Sequence, residues 1–154
     1  MKQNIQAVKD IKCFVLDMDG TIYLGNDLFP FTQDFLKKVE DTGREYYFFT
    51  NNSSKSQQAY IDKLWGMGIS ITPEQMMISS HVMIQYLKKN HLGETLYVVG
   101  TPSLLKEFEA FDMPLVDENP DIVILGFDTT LTYEKICESV GLSNICYTIK
   151  YEII

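Results

Sequence analysis

Along the 154-residue chain, short apolar runs alternate with stretches of helical periodicity. Lys12–Leu16 is an apolar run closing on an acidic loop, the pattern of a buried strand. After Pro30, Phe31, Phe35, Leu36 and Val39 share one helical face, and the pattern stops near Gly43. Glu45–Thr50 (EYYFFT) is dense in aromatic residues and predicts a second strand. A polar loop, Asn51-Asn52-Ser53-Ser54, follows. Ser54 and Gln57 fit a capping box opening a helix to about Trp65, closed by Gly66 and Gly68. Thr72-Pro73-Glu74-Gln75 repeats a start signal, and Met77–Ser79 predicts a third short strand.

A helix over about Ser80–Lys89 leads to His91-Leu92-Gly93, the best candidate linker. Beyond it, Thr95–Gly100 and Asp121–Phe127 read as strands. Pro102–Phe111, capped by Thr101, and Thr132–Val140 read as helices. This alternation predicts parallel α/β sheets. Ligands in such sheets sit beyond the carboxyl ends of strands, so chemistry is expected in the loops after Leu16 and Thr50.

Composition narrows the function classes. Lys and Arg number 13 against 21 Asp and Glu, a formal charge of −8, with no basic cluster. A nucleic-acid partner is therefore not expected. Few charges, 22%, and many aromatics, nine Phe, nine Tyr and one Trp, exclude a disordered chain. No apolar run is long enough to span a bilayer. Lys9, Asp10 and Lys12 interrupt any secretory h-region, so a cytoplasmic location is expected. Cys13, Cys137 and Cys146 are odd in number and widely spaced, which suits buried or incidental thiols rather than a disulfide or zinc framework.

The candidate chemistry begins at Asp17-Met18-Asp19-Gly20-Thr21. Two carboxylates two residues apart at a strand end repel, and a cation or a shared proton relieves them. Gly20 permits a sharp turn close to a ligand. Thr50 ends the neighbouring strand, and backbone amides lead from it towards a helix N-terminus, which suits an anion. A calcium loop fails on spacing, because the required glycine would fall at Ile22. A receiver-like domain fits the DGT turn poorly.

DMDGTIY over residues 17–23 followed by TNNSS over 50–54 resembles the haloacid dehalogenase-like phosphatases, and in particular their p-nitrophenylphosphatase-like and N-acetylglucosamine-type sugar phosphatase subfamily. Tyr97–Gly100, Val123–Asp128 and Leu131–Lys135 resemble the α/β cap that these enzymes insert. The resemblance covers about residues 10–140. It implies a doubly wound parallel-sheet core, of which residues 1–90 form the N-terminal half, and a partial α/β cap over 91–154. Asp17 would be the nucleophile, and Asp19 the general acid and base. Thr50, Asn51 and Gly20 would hold the phosphoryl group. Mg²⁺ would bind the Asp17 carboxylate and the Asp19 carbonyl. The implied partner is a small phosphorylated metabolite, not a nucleic acid or a membrane. Pairing of copies is allowed but not specified.

Two family motifs have no match: the lysine that pairs with the nucleophile, and the later acidic GDxxxTD-type stretch. Lys150 lacks the context of that lysine. The chain is expected to end within the cap, as a truncated or frameshifted member. The alternative to an active phosphatase is thus a catalytically impaired remnant that binds phosphate or metal, or self-associates. An open edge at Cys13–Leu16 would favour association. The alternating Ile145, Tyr147, Ile149, Tyr151 and Ile153 predict a strand that could patch such an edge. Elsewhere the plain readings are structural. His81 and His91 are ordinary helix and linker residues, and Trp65, Met76 and Met77 are core. Lys88 and Lys89 form a solvated helix end, and Asp128 and Glu134 have capping or surface roles.

Overall fold

The structure, a computed structural model, describes residues 10–141 and 146–148. Internal contacts divide the chain into two units, Met1–Thr50 with Ile61–Met77 and Asn51–Tyr60 with Ile78–Ile154, each over its described residues.

The first unit opens with β1 (Cys13–Asp17), then a small hairpin of β2 (Tyr23–Leu24) and β3 (Asp27–Leu28). Helix α1 (Thr32–Asp41) follows and leads into β4 (Glu45–Thr50). β1 and β4 pair in parallel, with Cys13 opposite Glu45 and Asp17 opposite Phe49. Leu36 and Val39 of α1 are buried, each contributing roughly 1.5–3 kcal/mol. Phe35 meets Phe14 of β1 edge to face at 5.7 Å. Gly43 ends the helix at φ +68°, and its amide donates to the Glu40 carbonyl. This is a left-handed cap that glycine adopts without steric cost.

Helix α2 (Gln57–Gly66) crosses the boundary between the units, and β5 (Met76–Ile78) completes the first sheet in the order β1-β4-β5. Four expectations need correction here. β1 is not a buried strand: among the described residues it is the sheet edge, and Val15 is 69% exposed. Only its Phe14 and Leu16 positions are half-buried, and Cys13, like Cys137, is exposed. Trp65 and Met77 are 57% and 51% exposed, whereas Met76 is core. Trp65 instead ties a turn, its indole N–H donating to the Ile71 carbonyl. Finally, Ser56 rather than Ser54 caps α2, accepting the Ala59 amide, because the Ser54 hydroxyl is turned onto Asn52 Oδ1.

The second unit contains α3 (Ser79–Asn90), β6 (Leu96–Val99), α4 (Pro102–Ala110), β7 (Ile122–Leu125), α5 (Tyr133–Gly141) and β8 (Cys146–Thr148). The three strands are parallel in the order β6-β7-β8. Met83, Ile84 and Leu87 of α3 share one core with Leu96, Leu104, Phe108, Ile122 and Ile124. By these contacts α3 belongs with the second sheet, although it precedes the His91-Leu92-Gly93 segment. Thr101 caps α4 as expected, accepting the Leu104 amide at 3.2 Å. The described part of the tail, β8, extends this second sheet beside β7 and not the β1 edge. Ile145, Ile149, Tyr151 and Ile153 lie outside the described residues. No helix among the described residues is long and apolar enough to cross a membrane.

Candidate active site

The parallel register of β1 and β4 decides where the sequence-predicted residues fall. Asp17 is the last residue of β1 and faces Phe49, so Thr50 stands one step further along the adjacent strand. Asp17, Asp19, Gly20 and Thr50 therefore gather at one carboxyl end of the sheet. Thr50 is 4% exposed.

The turn after β1 is anchored from within. Met18, Ile22 and Tyr23 are buried, while Asp17 and Asp19 on either side of Met18 are exposed. The Met18 carbonyl accepts the amides of Thr21 and Ile22, and the Gly20 amide donates to the Tyr23 carbonyl at 2.7 Å. Gly20 has φ +82°, a conformation that side chains resist. The buried Thr32 hydroxyl donates to the Ile22 carbonyl at 2.7 Å, joining the turn to α1. Thr21 Oγ1 donates to Asp17 Oδ2 at 3.2 Å, which orients the carboxylate. The result is a rigid turn presenting two carboxylates to solvent.

Oxygen donors of this kind suit a hard divalent cation. The turn's own backbone bonds run through the carbonyls of Met18 and Tyr23, not that of Asp19. Among the described residues no group of three or more His, Cys, Asp or Glu could hold a metal. The oxygens that would hold such a cation are the Asp17 carboxylate and the Asp19 carbonyl. Mg²⁺, which commonly keeps several waters and takes few protein ligands, fits such a set.

The loop after Thr50 belongs to the second unit and is held almost residue by residue. The Ser79 hydroxyl donates to the Asn51 carbonyl at 3.1 Å, and the Tyr60 hydroxyl donates to the Asn52 carbonyl at 2.9 Å. Thr101 Oγ1 donates to the Ser54 carbonyl at 2.8 Å, and Ser53 Oγ accepts the Phe127 amide at 2.8 Å. Asn52 Oδ1 accepts the Ser54 amide at 3.0 Å, a local turn.

Sequence reasoning missed two clusters around this loop. His81 lies in a helix as expected, but its Nε2 is 2.7 Å from Glu107 Oε2, and Glu107 Oε1 accepts the Gln57 amide. The His81 bond, helped by its charge and the Gln57 amide, holds the Glu107 carboxyl below its usual range, against the upward push of burial. In the second cluster, Lys135 Nζ donates to Asp128 Oδ2 at 2.7 Å, Thr130 Oγ1 at 3.0 Å and the Gly100 carbonyl at 3.2 Å. Burial raises the Asp128 carboxyl, but the bonds from Lys135 and Thr130 outweigh it and the net shift is downward. Asp128 has the expected capping role, accepting the Thr130 amide at 2.7 Å. His81 and Glu107, 26 residues apart, and Lys135 and Gly100, 35 apart, leave no local spacing signal.

Comparison with known proteins places this geometry in context. Residues 14–114 match the sequence family described as haloacid dehalogenase-like hydrolase. The chain is 32% identical over 128 residues to the 5'-nucleotidase YutF of Bacillus subtilis, covering 83% of this chain and 50% of that protein. It is 29% identical over 139 residues to an acid sugar phosphatase of Staphylococcus aureus, covering 89% and 54%. The fold superposes on a 4-nitrophenylphosphatase from Thermotoga maritima with a TM-score of 0.85 at 36% identity, covering 93% of this chain and 56% of that one. NagD from E. coli K-12 gives 0.74 at 25% identity, covering 84% and 51%. The chain spans about half the length of these relatives, and its fold matches their N-terminal half.

Proposed function

Since the chain belongs to the haloacid dehalogenase-like hydrolase family, we propose that its site serves Mg²⁺-dependent hydrolysis of small phosphomonoesters, sugar phosphates or nucleotides, through an aspartyl-phosphate. The observation that carries this reading is the in-register pairing that puts Asp17 and Thr50 at one carboxyl end of adjacent parallel strands.

In this scheme a carboxylate oxygen of Asp17 attacks phosphorus in line, and the bond from phosphorus to the ester oxygen breaks. Asp19, as general acid, gives a proton to the leaving oxygen; a positioned acid of this kind contributes roughly 10²–10⁴-fold. Asp19, now a carboxylate, takes a proton from water, whose oxygen attacks phosphorus and frees Asp17. Thr50 and the Asn51 amide hold the transferring phosphoryl group, and the positive φ of Gly20 lets the backbone turn beside it. Bound Mg²⁺ would supply charge neutralisation between an anionic nucleophile and an anionic substrate. Residues 1–90 would act as the core half and 91–154 as the cap that chooses the substrate.

A second reading, a remnant without turnover that binds phosphate or associates with itself, is favoured by the exposed edge at Val15. Release of p-nitrophenol from p-nitrophenyl phosphate, with and without Mg²⁺, separates the two. Metal-dependent release that vanishes in Asp17→Asn supports the phosphatase. No release from the unaltered chain supports the remnant.

A further inference from the structure

Two hydrogen-bonded paths meet at Lys135. Its ammonium donates to the Gly100 carbonyl just past β6, and to Asp128, three residues past the end of β7. The next residue after Gly100 is Thr101, whose hydroxyl holds the Ser54 carbonyl. The residue before Asp128 is Phe127, whose amide holds Ser53 Oγ. Lys135, the two strand ends and the loop thus close a ring of hydrogen bonds. The Asp128 side chain is 1% exposed, and the three donors of Lys135 meet three acceptors, so the ammonium is a brace already satisfied.

We infer that Lys135 is a positioning residue for the loop after Thr50, acting through the carboxyl ends of β6 and β7. The inference rests on the phosphoryl-holding role proposed above for the Asn51 amide, which opens that loop. Its logic is the planarity of the peptide unit. In a trans peptide the N–H of one residue points opposite the carbonyl of the residue before it, and no cis bond occurs among the described residues. Fixing the Ser54 carbonyl fixes the direction of the Lys55 amide. The same holds for the Asn52 and Ser53 amides, through the carbonyls held by Ser79 and Tyr60. A loop whose donors are aligned beforehand need not reorganise when an anion arrives. Loss of the Lys135 brace frees both strand ends at once, and the looseness reaches Ser53 and Ser54.

Hydrogen exchange of the full chain, read by mass spectrometry, tests this. In Lys135→Met the segment 51–56 is expected to exchange about tenfold faster, while 96–99 and 122–125 change less than about threefold. Lys135→Arg, which keeps the cation, recovers part of the protection. Should Lys135→Met not fold, Asp128→Asn decides the matter, with the same segment loosened by a smaller factor. Inorganic phosphate should slow exchange over 51–56 in the unaltered chain, and about tenfold more should be needed in Lys135→Met. If phosphate protects neither chain, the phosphoryl-binding reading fails while the exchange comparison still judges Lys135. Loop exchange unchanged in the variants, or raised equally in β6, β7 and the loop, overturns the inference.

Discussion

His81 Nε2 and Glu107 Oε2 stand 2.7 Å apart with side chains 18% and 13% exposed, and the other oxygen of the same carboxylate accepts the first amide of α2, that of Gln57. One carboxylate from α4 therefore joins a residue of α3 to the N-terminus of the helix that follows the site loop.

This junction gives the chain an acid-sensitive contribution to stability. The His81 bond, with the Gln57 amide, depresses the folded-state pKa of Glu107 below the ordinary 4.5. A depressed carboxylate stabilises fully above its unfolded value, and that contribution is lost as pH falls through the folded value. Glu107→Gln is expected to cost roughly 1–3 kcal/mol near neutrality. It should also flatten the fall in stability below about pH 4.5. Urea midpoints measured across that range check both effects, and an acid limb of unchanged slope would remove Glu107 from the account.

Close approach makes Gly126 intolerant of a side chain. A Cβ there would clash with Leu104 Cδ2 and lie 3.2 Å from Ser53 Oγ and 3.3 Å from the Val99 carbonyl. Leu104 is fully buried, and the Val99 carbonyl is backbone. Gly126→Ala should destabilise by about 1–3 kcal/mol. Gly66, with nothing within 4 Å of its would-be Cβ, should accept alanine with a gain of up to about 1 kcal/mol. Thermal melts of the two variants should move in opposite directions.

The β1 edge predicts association. Val15 is 69% exposed on a strand that is the sheet edge among the described residues. Exposed apolar edges pair with other chains, and lysine on the edge blocks this. Val15→Lys should lower the apparent mass in concentration-dependent light scattering and leave stability within about 0.5 kcal/mol. A mass that stays the same in the variant would clear β1 of any part in association.

Apart from the short β2–β3 hairpin, the order of strands and helices is legible because each apolar run and each helical stripe is local. So is the placement of Asp17 and Thr50, since both lie at the ends of runs that pair in register. What the local pattern could not carry was the environment of each run. Lys12–Leu16 by itself reads the same whether it is central or at an edge; the open edge expected there rests on the unmatched acidic motif, and the pairing shows it with Val15 exposed. Ser54 and Gln57 have the spacing of a cap, yet Asn52 captures the Ser54 hydroxyl at 2.6 Å and Ser56 takes the role. Apart from Tyr60, eight residues from its partner Asn52, the supports around the loop come from Ser79, Thr101, Glu107 and Phe127, whose partners lie 28 to 74 residues away. No periodicity encodes such distances.

The central claim, that a side-chain oxygen of Asp17 becomes phosphorylated, is tested most directly by chemical trapping. The chain is mixed with p-nitrophenyl phosphate and Mg²⁺, quenched in acid, reduced with borohydride and digested for mass spectrometry. Reduction of an acyl phosphate leaves homoserine in place of the aspartate that carried it. The account predicts homoserine at position 17 and nowhere else, and none in Asp17→Asn. Phosphate release with an unmodified Asp17, or a trapped adduct at another residue, would contradict it.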